Sequence, residues 1–157
     1  MDQYYDIISG SYNGLYKEEQ LNKLSVVFEH IKINPSDLLL DVGCGTGFSL
    51  DKVSCFKVGV DPSIELLKQS KHNRICAKAE SLPFPDNTFD IVISITAIQN
   101  FDDLNEGLKE IKRVGKSRFV LTALKKSEKI GLIDDLIKLH FDVRKVIEEE
   151  KDIIYII

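Results

Sequence analysis

The sequence predicts an α/β fold, a mostly parallel sheet between helical layers in a three-layer α/β/α sandwich. Three observations predict it. Short apolar runs alternate with helix-spaced stretches along most of the chain, the pattern of a parallel sheet with crossover helices. One apolar run, Leu38-Leu39-Leu40-Asp41-Val42, passes directly into Gly43-Cys44-Gly45-Thr46-Gly47, a turn rich in the one residue that tolerates positive φ. Two further strand-like runs close the chain around a tight acidic turn, so a terminal hairpin adds one antiparallel strand.

The elements follow in order. Residues 1–17 carry Tyr4, Tyr5, Tyr12 and Tyr16 among Gly10, Asn13 and Gly14. They read either as a loop packing its rings on the domain or as a lid. Over 18–33, Leu21, Leu24, Val27, Phe28 and Ile31 recur at helical spacing until Asn34-Pro35-Ser36 breaks the pattern. The first strand is 37–42, and 48–54 after the glycine turn reads as a helix. Strand two, 56–60, ends at Asp61-Pro62-Ser63. A helix over 64–71 follows, with Ser63 as its cap. Strand three is 74–79, then a proline-punctuated loop spans 81–88. Strand four, 89–95, is apolar enough to be central. A helix over 103–114, strand five at 118–124 and a helix over 127–140 precede the hairpin of 143–149 and 152–157.

Composition narrows the setting. The chain has 157 residues, 43% of them apolar, which suits one domain with a real core. We read 1–157 as one domain, with 1–33 as an N-terminal tyrosine-rich segment and helix and 37–157 as the core. No apolar run is long enough for a membrane helix, and Met1-Asp2-Gln3-Tyr4-Tyr5-Asp6 has no basic region or signal-peptide core. Cys44, Cys55 and Cys76 show neither C-x-x-C spacing nor an even count, so no disulfide framework and no metal site is expected. A reducing, cytoplasmic setting fits. A net charge of −4 argues against a self-sufficient nucleic-acid binder.

A buried strand running through a glycine turn into a helix start is a nucleotide-binding device, since the helix N-terminus offers N–H groups. Phe48 stands where a dinucleotide fingerprint needs a small residue, and no lysine follows Gly47 as a phosphate loop requires. Asp41-Val42-Gly43-Cys44-Gly45-Thr46-Gly47 instead resembles the first motif of class I S-adenosylmethionine (SAM)-dependent methyltransferases. The resemblance implies a Rossmann-like, seven-stranded sheet in the order 3-2-1-4-5-7-6 and SAM as cofactor. It implies Asp41 near the methionine part and Gly43, Cys44, Gly45 and Gly47 along the cofactor. Asp61, at the end of strand two, can accept from two ribose hydroxyls, and the resemblance implies that role for it, with Pro62 beside it. Ala79-Glu80-Ser81-Leu82-Pro83-Phe84 resembles the adenine-binding turn. Lys78 stands there in place of the usual Asp and cannot accept from an amino group, so either Glu80 or backbone near Ala79 takes over, or the contact is missing. Ser94 and Thr96 at the end of strand four, and Tyr12, complete the implied contacts.

The acceptor is less determined. After strand four the chain lacks the Asn/Asp-Pro-Pro-aromatic motif of amide and exocyclic-amine methylation. Small-molecule relatives often carry a His near Gln99. Ile93-Ser94-Ile95-Thr96-Ala97-Ile98-Gln99 is similar to the corresponding run of the eukaryotic small-subunit rRNA guanine-N7 methyltransferase. That likeness implies RNA or another translation component as acceptor. It also implies a small zinc-binding activator paired along strand three, the expected sheet edge. A small-molecule methyltransferase and a noncatalytic SAM-binding subunit are the alternatives. Transfer from a sulfonium is mostly positioning, so no general base is named. His30, His72 and His140 read as surface or packing residues.

Overall fold

The computed structural model describes residues 15–157. The chain divides into two compact units, residues 1–32 and 33–157. The described part of the first unit is helix α1 (Leu15–Glu29), which starts and ends earlier than the predicted 18–33. The His30 N–H closes on the Val27 carbonyl, and the His30 ring sits 2.9 Å from the Val26 carbonyl, so the last turn ends before Pro35 can break it. The tyrosine-rich stretch, Tyr12 included, lies outside the described residues.

The second unit is a seven-stranded sheet: β1 (Leu38–Val42), β2 (Phe56–Asp61), β3 (Asn73–Cys76), β4 (Phe89–Ser94), β5 (Gly115–Leu124), β6 (Lys145–Glu148) and β7 (Asp152–Ile156). Its order is β3-β2-β1-β4-β5-β7-β6, as expected. β1 to β5 pair in parallel, and β7 runs antiparallel to both β5 and β6. The central strands are the apolar ones. Leu39 and Leu40 of β1 and Ile91, Val92 and Ile93 of β4 are wholly buried. Each such side chain contributes about 1.5–3 kcal/mol through its burial. β3, at one edge, is exposed along its whole length.

Helix α2 (Ile64–Leu67) follows β2, α3 (Leu104–Val114) precedes β5, and α4 (Ile130–His140) follows it. Asp103 caps α3 by accepting from the Glu106 N–H at 3.0 Å. The helix turns Leu104, Leu108, Ile111 and Val114 into the core, the stripe its spacing predicts. Two predicted helices are much shorter than their patterns. The 48–54 stretch is only a 3-10 turn, Ser49–Lys52, because Ser49 is drawn down to Asp41 and each closure spans three residues. The 64–71 stretch keeps one α-turn at Ser63, which does cap it. It then tightens into three-residue closures as Ser70 is buried.

Two ion clusters lock the frame. At the amino end of the sheet, Arg118 of β5 donates to both Asp37 oxygens at 2.7 and 3.1 Å, which holds the Asp37 carboxyl below its usual range. Arg113 of α3 donates to the Leu82 and Phe84 carbonyls, to Asp86 and to Glu110, and Glu110 accepts from the Leu82 N–H. The loop after β3 is thereby pinned to α3.

Candidate functional site

The carboxyl ends of β1, β2 and β4 converge on the glycine turn. Gly43, Gly45 and Gly47 all have positive φ, at 78°, 54° and 79°. Two of them are required by the protein's own packing. A Cβ on Gly43 would sit 2.4 Å from the Cβ of Ala97, just past β4, and one on Gly47 would sit 2.5 Å from Ser70 Oγ. Gly45 differs. Among the described residues, a Cβ there would meet nothing nearer than Leu66 Cδ1 at 3.9 Å, an ordinary contact, so the backbone at Gly45 is uncrowded. That is a face on which a ligand can lie.

Four of the turn's five N–H groups have partners within the protein. The Gly43 and Cys44 N–H groups donate to the Val60 carbonyl, Gly47 N–H to the Cys44 carbonyl, and Gly45 N–H to Asp61 Oδ2 at 2.9 Å. The 3-10 turn behind them is too short to act as a helix dipole. The N–H cradle expected of a strand–turn–helix joint is thereby reduced, with the Gly43, Cys44, Gly45 and Gly47 donors engaged within the protein. Its chemistry lies in carboxylates.

Asp41 and Asp61 supply them. Asp61 closes β2 and is 7% exposed. Its Oδ1 accepts from the Ser63 N–H at 2.8 Å and its Oδ2 from Gly45, so one side chain ties the β2 exit to the glycine turn. Each oxygen keeps a lone pair for a further donor. Burial pushes the Asp61 carboxyl above its usual range against those two bonds. Asp41 is 1% exposed. Ser49 Oγ donates to its Oδ2, while Oδ1 is buried and finds no donor among the described residues. Burial above all, with repulsion from Asp61, pushes the Asp41 carboxyl up to about 7. Two buried acidic groups side by side, one with an oxygen unmet, suit a ligand that brings positive charge and hydroxyl donors.

The other predicted residues separate by role. The Cys44 sulfur packs against Gly59, where a Cβ would lie 2.5 Å away, and burial pushes its thiol far up, so it is packing and not a thiolate. Pro62 is exposed beside Asp61. Ala79 is buried, but Glu80 Oε1 accepts from the Asp103 N–H at 3.0 Å, which turns this carboxylate toward α3, and Lys78 pairs with Asp102 at 2.7 Å. Ser94 is wholly buried and its hydroxyl donates to the Val42 carbonyl at 2.8 Å. Thr96 has φ 53° and points its hydroxyl at Asp152, 2.7 Å away. Thr122, Asp152 and Arg113 were not singled out from sequence; each finds its partner tens of residues away. Among the described residues, no group of three or more His, Cys, Asp or Glu side chains could hold a metal ion, and no helix is long and apolar enough to cross a membrane.

A methyltransferase-domain family model matches residues 40–121, the span from β1 through the glycine turn to β5. The chain belongs to the methyltransferase domain family. S-adenosylmethionine is the cofactor that membership implies. The residues fit that group: its positive charge matches the buried Asp41, its hydroxyls match Asp61, and among the described residues Gly45 is uncrowded. Protein MJ1252 of Methanocaldococcus jannaschii is 33% identical over 145 residues, covering 88% of this chain and 57% of that protein. The ubiquinone/menaquinone biosynthesis C-methyltransferase UbiE of Rickettsia massiliae is 31% identical over 156 residues, covering 86% of this chain and 60% of that protein. The chain thus spans under two thirds of these relatives' lengths. Among solved structures, the PH0226 protein of Pyrococcus horikoshii matches with a TM-score of 0.81 at 21% identity, over 98% of this chain and 97% of that one. A methyltransferase solved in complex with the Haloferax volcanii Trm112 activator matches with a TM-score of 0.68 at 21% identity, over 76% of this chain and 58% of that one. Both share the seven-strand, class I methyltransferase fold.

Proposed function

We propose that residues 1–157 form one methyltransferase domain that transfers a methyl group from SAM to a small organic acceptor. One observation carries the cofactor half of this reading: the buried Asp41 Oδ1, unmet by any described donor, on the strand that leads into the turn where Gly45 is uncrowded among the described residues. When bound, SAM supplies an activated methyl on a good leaving group. The chain's own task is to bind and orient. Asp41 balances positive charge in a low-dielectric site, Asp61 accepts hydroxyl donors while keeping Gly45 in place, and Gly45 lets the ligand approach the backbone. The match to a quinone C-methyltransferase over most of the chain favours a small acceptor, as does a net charge of −4. Transfer of label from SAM into extracts of the native host tests the reading. We expect label in the organic-extractable fraction.

A second reading has its own support. β3 is an exposed edge, Ile75 is 37% exposed, and one structural neighbour was solved with an activator protein. A small zinc-binding activator adding a strand at β3, with RNA or another translation component as acceptor, fits those facts and the likeness of residues 93–99 to the rRNA enzyme. Label in RNA, together with a co-purifying protein that Ile75→Pro releases, would favour it. SAM binding with no transfer into any fraction would favour a noncatalytic subunit.

A further inference from the structure

Asp152, the first residue of β7, lies outside the family-matched span and is wholly buried. Its Oδ2 accepts from two hydroxyls, Thr96 Oγ1 at 2.7 Å and Thr122 Oγ1 at 3.0 Å. Thr122 Oγ1 in turn accepts from the Thr96 N–H at 2.8 Å. The Thr96 carbonyl is held as well, by Gln99 Nε2 at 2.8 Å. Thr96 therefore has its N–H, hydroxyl and carbonyl all engaged, and it sits at φ 53°. A β-branched residue does not adopt that conformation unaided; its surroundings must impose it. The residue that follows, Ala97, is the one packed against Gly43 so closely that a Cβ there would lie 2.4 Å from it. A continuous path of contacts thus runs from the terminal hairpin through Thr96 and Ala97 to the glycine turn.

We propose that Asp152 is a positioning residue for the cofactor site: by holding Thr96 in the left-handed conformation it seats Ala97 against Gly43 and sets the glycine turn. The proposal rests on the assignment of SAM to that turn. It makes the β6–β7 hairpin, where the Glu149 N–H closes on the Asp152 carbonyl at 2.9 Å, part of the binding apparatus. Buried networks of this kind act as units, so loss of the acceptor releases both threonines together.

The test is a cycle of variants read by calorimetric titration with SAM, well below each variant's melting temperature. Asp152→Ala weakens SAM binding about tenfold or more, because Thr96 relaxes and Ala97 shifts. Thr96→Gly alone loses less affinity than Asp152→Ala, since glycine adopts positive φ with no clamp. In the double variant, Thr96→Gly restores binding to about that same level. Asp37→Ala, at the far end of the sheet, is the control: it lowers the melting temperature and leaves SAM affinity unchanged. Should Asp152→Ala fail to fold, Thr122→Val replaces it, with the same loss and the same rescue expected. Unchanged affinity in the Asp152 or Thr122 variant overturns the proposal. So does a loss that Thr96→Gly does not rescue, which would make the network structural only. Failure of the unaltered protein to bind SAM overturns the cofactor assignment, and this proposal with it.

Discussion

Replacing Asp41 with Asn should stabilise the protein at neutral pH while it damages the site. The folded chain holds this carboxyl at about 7, against an ordinary value of 3.8. Between those values the folded state keeps a proton that the unfolded chain has lost. Asp41's contribution to stability is therefore full below the ordinary value and is lost as pH rises to about 7. At 1.36 kcal/mol per pH unit, the carboxylate costs on the order of 4 kcal/mol at and above neutrality. Asn keeps an oxygen for Ser49 and carries no charge. At about 3 °C per kcal/mol, the upper bound on the gain for a chain of this size is about 12 °C. The assay is thermal melting of both proteins from about pH 5 to about pH 8 at constant ionic strength. His140, whose pKa burial lowers, tilts stability the opposite way, but it is common to both proteins, so the difference between them isolates Asp41. The gap should be smallest at the acid end, about 1.6 kcal/mol, and widest at the alkaline end. Bound positive charge should bring Asp41 down and expel its proton. SAM affinity should then fall as pH drops below about 7, and Asp41→Asn should bind SAM weakly at every pH. Parallel melting curves, or a variant less stable than the unaltered protein at about pH 8, would refute the reasoning.

The glycines should divide by what they face. Gly45→Ala should cost only the strain of positive φ, about 1–2 kcal/mol, yet abolish SAM binding by calorimetry. Gly43→Ala should cost more in thermal stability than Gly45→Ala, because its Cβ has no room beside Ala97. Asp61→Asn should weaken SAM binding at least about tenfold, since its amide puts an NH2 against one of the two N–H donors from Gly45 and Ser63. Arg113→Ala should lower stability by about 2 kcal/mol and open the 81–88 loop to limited proteolysis, as the Leu82 and Phe84 carbonyls lose their donor. An unchanged cleavage pattern would remove Arg113 from that role.

What could be read in advance was what depends on neighbours along the chain. The buried strands β1 and β4, the stripe of α3, the Ser63 cap and the position of Asp61 are local patterns, and each stands in the structure. The strand order came from the family resemblance, since periodicity carries no information about which strand lies beside which. The two short helices misled because apolar spacing cannot register a competing tertiary bond. Ser49 turns to Asp41, eight residues back, and the helix that 48–54 could form gives way to a 3-10 turn. The same limit hid Asp152. In the sequence it is the first residue of the last predicted strand, beside the acidic turn of Glu148, Glu149 and Glu150, where nothing local marks it as buried. Only the antiparallel pairing of β7 with β5, which sets Asp152 opposite Leu124, carries its carboxylate beneath Thr122 and Thr96. The strained φ of Thr96 is equally silent in sequence, because nothing local favours it. A buried acid fifty-six residues away is what makes that conformation affordable. The β4 exit, where ligands gather in open α/β sheets, is thus shaped by the last strand of the chain. Substitutions in the terminal hairpin are accordingly expected to reach the glycine turn by way of Thr96 and Ala97, without touching any ligand themselves.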